Sequence, residues 1–180
     1  DGINWVKPSL GLYEFSGSKQ NNIILIQEPF THNFSPFLDQ RPGIPDNQKF
    51  KAIAGQRVDE GVFPGGLYAF VSGDGIHWRL VVDKPVLKYN PELHGSHAFD
   101  SQNVSFWSEE EQCYVLYFRH WKTDHGSLRS IGRAKSEDFL NWVDESATFP
   151  APNMPFEHLY TQQTSPYFRA PQIYISIGAR

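Results

Sequence analysis

Four acidic side chains lie at the boundaries of extended, β-rich runs: Glu28, Asp39, Asp100 and Glu157. Two carboxyl groups, one protonated and one ionised, are the minimal apparatus of acid/base hydrolysis. Asp100 is the best placed, directly ahead of the run Ser101 to Trp107, where it is equally suited to capping local backbone N–H groups. Glu28 and Glu157 precede their runs less tightly and fit solvated loops, since glutamate is rarely buried. Asp39 closes the run Asn33-Phe34-Ser35-Pro36-Phe37-Leu38 and opens a Pro/Gly turn, so a capping role competes with a catalytic one. Arg57, Arg119 and Arg180 end three comparable runs. Their guanidinium forks suit an anionic group, and they suit structural salt bridging as well. Trp107 and Trp121 offer ring faces for stacking or for a core. His94-x-x-His97-x-x-Asp100 has the composition of a metal site but lacks a third nearby histidine, so it reads as a polar loop. No metal and no cofactor is expected.

The elements that would position these residues recur along the chain. Ser72-Gly73-Asp74-Gly75-Ile76-His77-Trp78 and Ser136-Glu137-Asp138-Phe139-Leu140-Asn141-Trp142 share Ser, Asp and Trp at equal offsets, and Asp1-Gly2-Ile3-Asn4-Trp5 repeats the Asp-to-Trp part. A second series, Asn33-Phe34-Ser35, Asn103-Val104-Ser105 and Gln163-Thr164-Ser165, alternates with the first. Both recur roughly every 65 residues, the signature of a repeat architecture. Within one period, four short β-rich runs alternate with turn residues: Ser101 to Trp107, Cys113 to Arg119, Arg129 to Lys135, and Trp142 onward. With no convincing amphipathic helix, four strands per unit predict an all-β fold, a β-propeller of four-stranded antiparallel blades. Pro36 and Pro166 fit this reading if the first strand of each blade has an unpaired edge.

Composition narrows the partners. The chain has 180 residues, 39% hydrophobic and 15% aromatic, with a formal net charge of -4. That is the profile of a globular domain with a core. Lys and Arg form no basic stripe, which argues against nucleic acid, and no run approaches the ~20 apolar residues of a membrane span. The single cysteine, Cys113, has no intramolecular disulfide partner and reads as a small buried hydrophobe.

The Ser-x-Asp-Gly-x-x-Trp turn, the stretch Asn33 to Asp39 followed by Phe50-Lys51-Ala52, and Phe99-Asp100-Ser101-Gln102-Asn103 followed by Tyr114 to Arg119 resemble the five-bladed propeller glycosidases. This is the broad group that contains glycoside hydrolase families 32 and 43. The resemblance implies about two and a half blades: a blade end at 1–29, blades at 30–83 and 98–146, and a half blade at 160–180. Five such blades need roughly 300 residues, so the ring is expected to be completed by a longer parent chain or by a second copy joined through open blade edges. It also implies a carbohydrate partner, a secreted or periplasmic parent, and an active site in the central funnel at the N-terminal ends of the innermost strands. Asp100, Glu157 and Asp39 are then the candidate catalytic carboxyls. His32, Asn33, His97, Gln102, Asn103, Arg119, Gln163 and Arg180 are the candidate substrate-binding residues. The implied chemistry is two-carboxylate hydrolysis of a poly- or oligosaccharide, with an anionic glycan suggested by the arginines. A non-catalytic carbohydrate-binding propeller and a structural half-propeller that dimerises are the competing readings.

Overall fold

The structure, a computed structural model, describes residues 2–27, 29–56, 63–123, 126–148, 155 and 157–179. It is all-β with antiparallel pairing. In the first sheet, β1 (Ser35–Leu38), β2 (Phe50–Gln56), β3 (Gly66–Ser72) and β4 (Arg79–Leu80) are neighbours in that order, and β5 (Leu87–Lys88) pairs with the opposite end of β3. The second sheet runs β6 (Val104–Ser108), β7 (Cys113–Thr123), β8 (Gly126–Ser136), β9 (Val143–Thr148), and the third pairs β10 (Ser165–Tyr167) with β11 (Ala170–Ile175). Pro36 and Pro166 lie in β1 and β10, which end their sheets, so neither missing N–H removes a ladder bond from a central strand. One four-residue helix, α1 (Pro91–His94), interrupts the strands. Asn90 caps its first turn, Pro91 starts it, and Gly95 at φ 79° ends it.

The repeated turns are matched almost atom for atom. In the first, Ser72 Oγ receives the amides of Asp74 and Gly75, Asp74 Oδ1 receives those of Ile76 and His77, and the Trp78 indole donates to the Gly75 carbonyl. In the second, Asp138 Oδ1 receives the amides of Leu140 and Asn141 at 2.8 Å, and Trp142 donates to the Phe139 carbonyl at 3.0 Å. This is the Asx-turn logic of the aspartate, which replaces backbone partners that a tight turn cannot supply. Phe139 holds φ 70° where its counterpart is Gly75 at 76°. A phenylalanine is strained there, and its fully buried ring packs on Phe37, Tyr114 and Trp142. Gly2, in the third copy, has φ 75°, yet Trp5 is 86% exposed.

Period-two alternation splits the core into layers. Ile53, Leu67, Ala69, Tyr114, Leu116, Phe118 and Phe139 fill the space between the first and second sheets. Their chain neighbours Ala52, Ala54, Tyr68 and Phe70 face the other way, onto Phe30. Cys113 and Val115 face Tyr174 of the third sheet, so Cys113 is a core hydrophobe as its sequence setting implied.

Asp39 joins the first two sheets. It accepts hydrogen bonds from the Tyr114 hydroxyl at 2.6 Å and the Arg41 amide at 3.0 Å, and it pairs with Lys51 Nζ at 2.9 Å. Both partners of the ion pair are buried. Burial pushes the Lys51 ammonium below its ordinary value against the pull of Asp39, and burial followed by Asp39 raises the Tyr114 phenol. Removing one member of a buried pair strands the other charge, so Asp39→Ala is expected to cost about 3–5 kcal/mol in urea denaturation. Adding Lys51→Met is expected to recover most of that loss. An Asp39→Ala variant of unchanged stability would refute the role.

Asp138 makes a smaller, pH-dependent contribution. Partial burial raises its carboxyl, but the amides of Asn141 and Leu140, the Asn141 side chain and Ser136 outweigh this and hold it at about 2. Its stabilisation is therefore complete above the ordinary value of 3.8 and is lost as pH falls toward 2. Solvent screening at this exposed turn limits the contribution to about 1 kcal/mol. In acid titrations of thermal stability, Asp138→Asn should flatten the limb between those pH values while lowering the neutral plateau by about that amount.

Candidate functional site

A cleft of about 440 Å³ opens at the ends of β1 and β6 that carry the asparagine motifs. It is lined by Thr31, His32, Asn33, Asp100, Gln102 and Tyr160, among others. Asp100 is 55% exposed at its side chain and His32 69%, with Nε2 3.4 Å from Oδ1. That separation is too long for a strong hydrogen bond, so the carboxylate keeps most of its accepting capacity. A larger depression of about 520 Å³ lies at the opposite ends of β6 and β7, lined by Glu111, Lys135 and Asp138 among others. Its Glu111 is already satisfied by two bonds from Arg133 Nη2 (2.6 and 2.8 Å), by Lys135 and by the Tyr174 hydroxyl. Burial raises that carboxyl, and these partners override it to hold it at about 2. We therefore place the candidate chemistry in the first cleft.

The two asparagines expected to hold substrate are consumed by backbone. Asn33 donates to the carbonyls of Gly55 (2.7 Å) and Phe99 (2.8 Å) and accepts from the Gly55 amide (3.0 Å). Asn103 donates to the carbonyls of Phe99 (3.1 Å) and Ser101 (2.9 Å) and accepts from the Arg119 amide (3.1 Å). Both donors of each amide are engaged, which leaves none for a sugar. The motif exists because the loop ahead of each first strand needs its backbone satisfied. At Gly55 an added Cβ would fall 2.0 Å from the Gly66 carbonyl oxygen.

The remaining expectations fall in different places. His32, Asp100 and Gln102 meet in the cleft. His97 instead packs its ring 4.6 Å from Trp121 and contacts Ser96 Oγ. His94 is buried, taking a hydrogen bond on Nδ1 from the Asn90 amide, which leaves Nε2–H to donate to Asp144 at 2.8 Å. The His94-x-x-His97-x-x-Asp100 series thus serves three separate partners. Asp39 sits at the far end of β1 from the cleft, in the buried pair described above. Glu157 and Gln163 are exposed, while Gln162 is buried against the Tyr117 carbonyl and the Thr164 amide. Glu28, Arg57 and Arg180 lie outside the described residues.

Beneath the cleft lies a cationic group that sequence reasoning resolved only in part. Arg119 is 3% exposed, and its guanidinium donates to the Tyr160 carbonyl. Arg129 lies over the ring of Trp121 at 4.8 Å, and its buried Nε has no hydrogen-bond partner. Both guanidiniums face the Tyr160 ring, at 5.1 and 5.3 Å from its centroid. Among the described residues, no ion pair joins a carboxylate to either guanidinium. Burial first and Arg129 second lower the Arg119 value, against smaller opposing effects of Asp100 and Tyr160. A cation–π contact returns about 0.5–2 kcal/mol. That falls short of the several kcal/mol needed to bury a guanidinium.

Arg129 and Tyr160 were the residues missed. The β7–β8 hairpin pairs His120 with Ser130, and a bulge between His120 and Lys122 re-aims the strand at Trp121. Hairpin register would have placed Arg129 near Trp121. Tyr160 carried no sequence signal, because its position depends on Leu159 and His158 bonding the Arg129 backbone and on Tyr160 bonding Ala179.

No protein-family model matches the sequence, and no curated protein matches it. Among solved structures, the chain is similar to a candidate glycoside hydrolase from Parabacteroides distasonis, at 20% identity over 84% of this chain and 42% of that one, with a TM-score of 0.49. It is similar to a candidate exo-β-1,3-galactanase from Bifidobacterium bifidum, at 13% identity over 81% of this chain and 50% of that one, also with a TM-score of 0.49. A third similarity, at 15% identity and a TM-score of 0.45, is to a structure described with the GH130 family of mannoside phosphorylases and its glycoside hydrolases that target β-1,2-mannosidic linkages in Candida mannan. It covers 84% of this chain and 40% of that one. The chain thus spans at most half the length of these proteins.

Proposed function

We propose that the chain is part of a glycoside hydrolase-type β-propeller, its three sheets being successive blades, and that it acts on a poly- or oligosaccharide in the cleft between β1 and β6. The observation that carries this reading is the Asp100 carboxylate. It is half-exposed at the ends of the first strands of two adjacent sheets and lightly engaged by His32, with Gln102 beside it to bond sugar hydroxyls. In this role Asp100 acts as one member of an acid/base pair at the glycosidic bond. Glu157, exposed in the segment leading to Tyr160, is the described candidate for the second member.

One observation favours a second reading, a carbohydrate-binding propeller without turnover: Asp100 is the one carboxyl among the residues lining the described cleft. The full chain, assayed for reducing ends and for binding on a panel of polysaccharides, separates the two. The hydrolytic reading expects turnover that Asp100→Asn lowers by about 10²–10⁴ in kcat, with an unchanged melting temperature because the side chain is exposed. Binding without turnover by the wild-type chain selects the second reading, and an Asp100→Asn variant with wild-type kcat removes Asp100 from catalysis.

A further inference from the structure

We propose that Arg119 and Arg129 form a binding site for an oxyanion group carried by the glycan, a carboxylate or a sulfate ester, with Tyr160 as the side chain that gives way to it. The glycan part of this inference rests on the function proposed above. The anion part stands on the arginines alone.

The same chain shows what a satisfied, half-buried arginine looks like. Arg133 places one nitrogen on both oxygens of Glu111 and another on the Tyr117 hydroxyl, and its charge is strengthened accordingly. Arg119 is more deeply buried and has one hydrogen bond, to a neutral carbonyl. Arg129 has aromatic faces around its guanidinium and an unpartnered, buried Nε. Two like charges sharing one tyrosine ring repel each other, and a charge as buried as that of Arg119 is ordinarily paired or ligated, while Arg129 is half-buried with only its Nε enclosed. Asp100 acts on Arg119 through its charge, but among the described residues it forms no ion pair with it. An oxyanion would supply what both lack, since a guanidinium fork matches carboxylate and sulfate oxygens in pairs.

Tyr160 connects this site to the cleft. It lines the cleft wall, is 52% exposed, and touches both guanidiniums. Its backbone is held by the Ala179 carbonyl, and Leu159 beside it donates to the Arg129 carbonyl. The ring can therefore rotate about χ1 without displacing the segment, exchanging its π-face for the anion. A sugar residue next to the one attacked at Asp100 would bring its charged substituent to this point.

The test is thermal unfolding of the full chain at fixed ionic strength with sodium sulfate, sodium glucuronate or glucose 6-sulfate, against chloride and glucose. The oxyanions are expected to raise the melting temperature in a saturable way, with neutral glucose inert. Arg119→Gln and Arg129→Gln should each weaken the midpoint concentration tenfold or more. The general stabilising effect of sulfate persists in these variants and so is subtracted by them. Without ligand, Arg129→Gln should melt no lower than wild type, because it removes a charge that has no counter-ion among the described residues. Asp100→Asn should keep the full anion response, so a failure of the catalytic reading is distinguishable from a failure of this one. A wild-type response no greater than that to chloride, or one that survives in both arginine variants, overturns the site. A response to inorganic sulfate with none to glucuronate or glucose 6-sulfate overturns its glycan-borne source.

Discussion

The carbonyl oxygen of Phe99 is the point on which the described site depends. It accepts from Asn33, which precedes the first strand of one sheet, from Asn103, which precedes the first strand of the next, and from the Ser101 amide. The Phe99 amide meanwhile donates to the Arg119 carbonyl. To present its groups this way the residue holds φ 61°, an uncommon conformation for a side chain of that size. Its ring, fully buried against His94 and Phe118, opposes relaxation of the strain. Asp100 follows immediately, so the aim of the one carboxylate among the described residues of the cleft is set by a backbone knot between two sheets.

Other contacts keep the sheets in that relation. Asp39 and Lys51 pair in the same interface and receive Tyr114 from across it. The Ser-x-Asp turns finish the outer strands locally, so that Trp78 and Trp142 arrive with their indole N–H groups already bonded. The alternation of small and large side chains in β2 and β3 lets one sheet bury both faces. The third sheet, with two strands, is tied in through the Tyr174 hydroxyl to Ser108 and Glu111. It leaves Phe168, Ile173 and Ile175 exposed.

The cleft and the cationic pair beneath it are built on different terms. Around Glu111, Arg133 and Lys135 both have a carboxylate partner. Around Arg119 and Arg129 the partners are aromatic faces and a neutral carbonyl, and the charge is left over. Arg133, by contrast, has a carboxylate and the Tyr117 hydroxyl as acceptors.

The sequence by itself determined what depends on near neighbours: the turn chemistry of Ser72 to Trp78 and Ser136 to Trp142, the period-two strands, the edge prolines and the burial of Cys113. These follow from hydrogen bonds over two or three residues and from side-chain alternation, both visible in the order of residues. It also offered Asp100 through its position directly ahead of a strand, while His32 and Gln102 came only with the family resemblance. Only the tertiary structure decided that Asn33 and Asn103 serve backbone, that Asp39 belongs to a buried ion pair, and that Arg119 lies beside Arg129 under Tyr160. Those outcomes depend on groups brought together from distant positions, such as Asn33 with Phe99, Asp39 with Tyr114, and Arg119 with Tyr160. Residue type alone does not reveal whether a polar side chain spends its hydrogen bonds on the fold or keeps them for a ligand, because that depends on which unsatisfied backbone groups the packing leaves nearby.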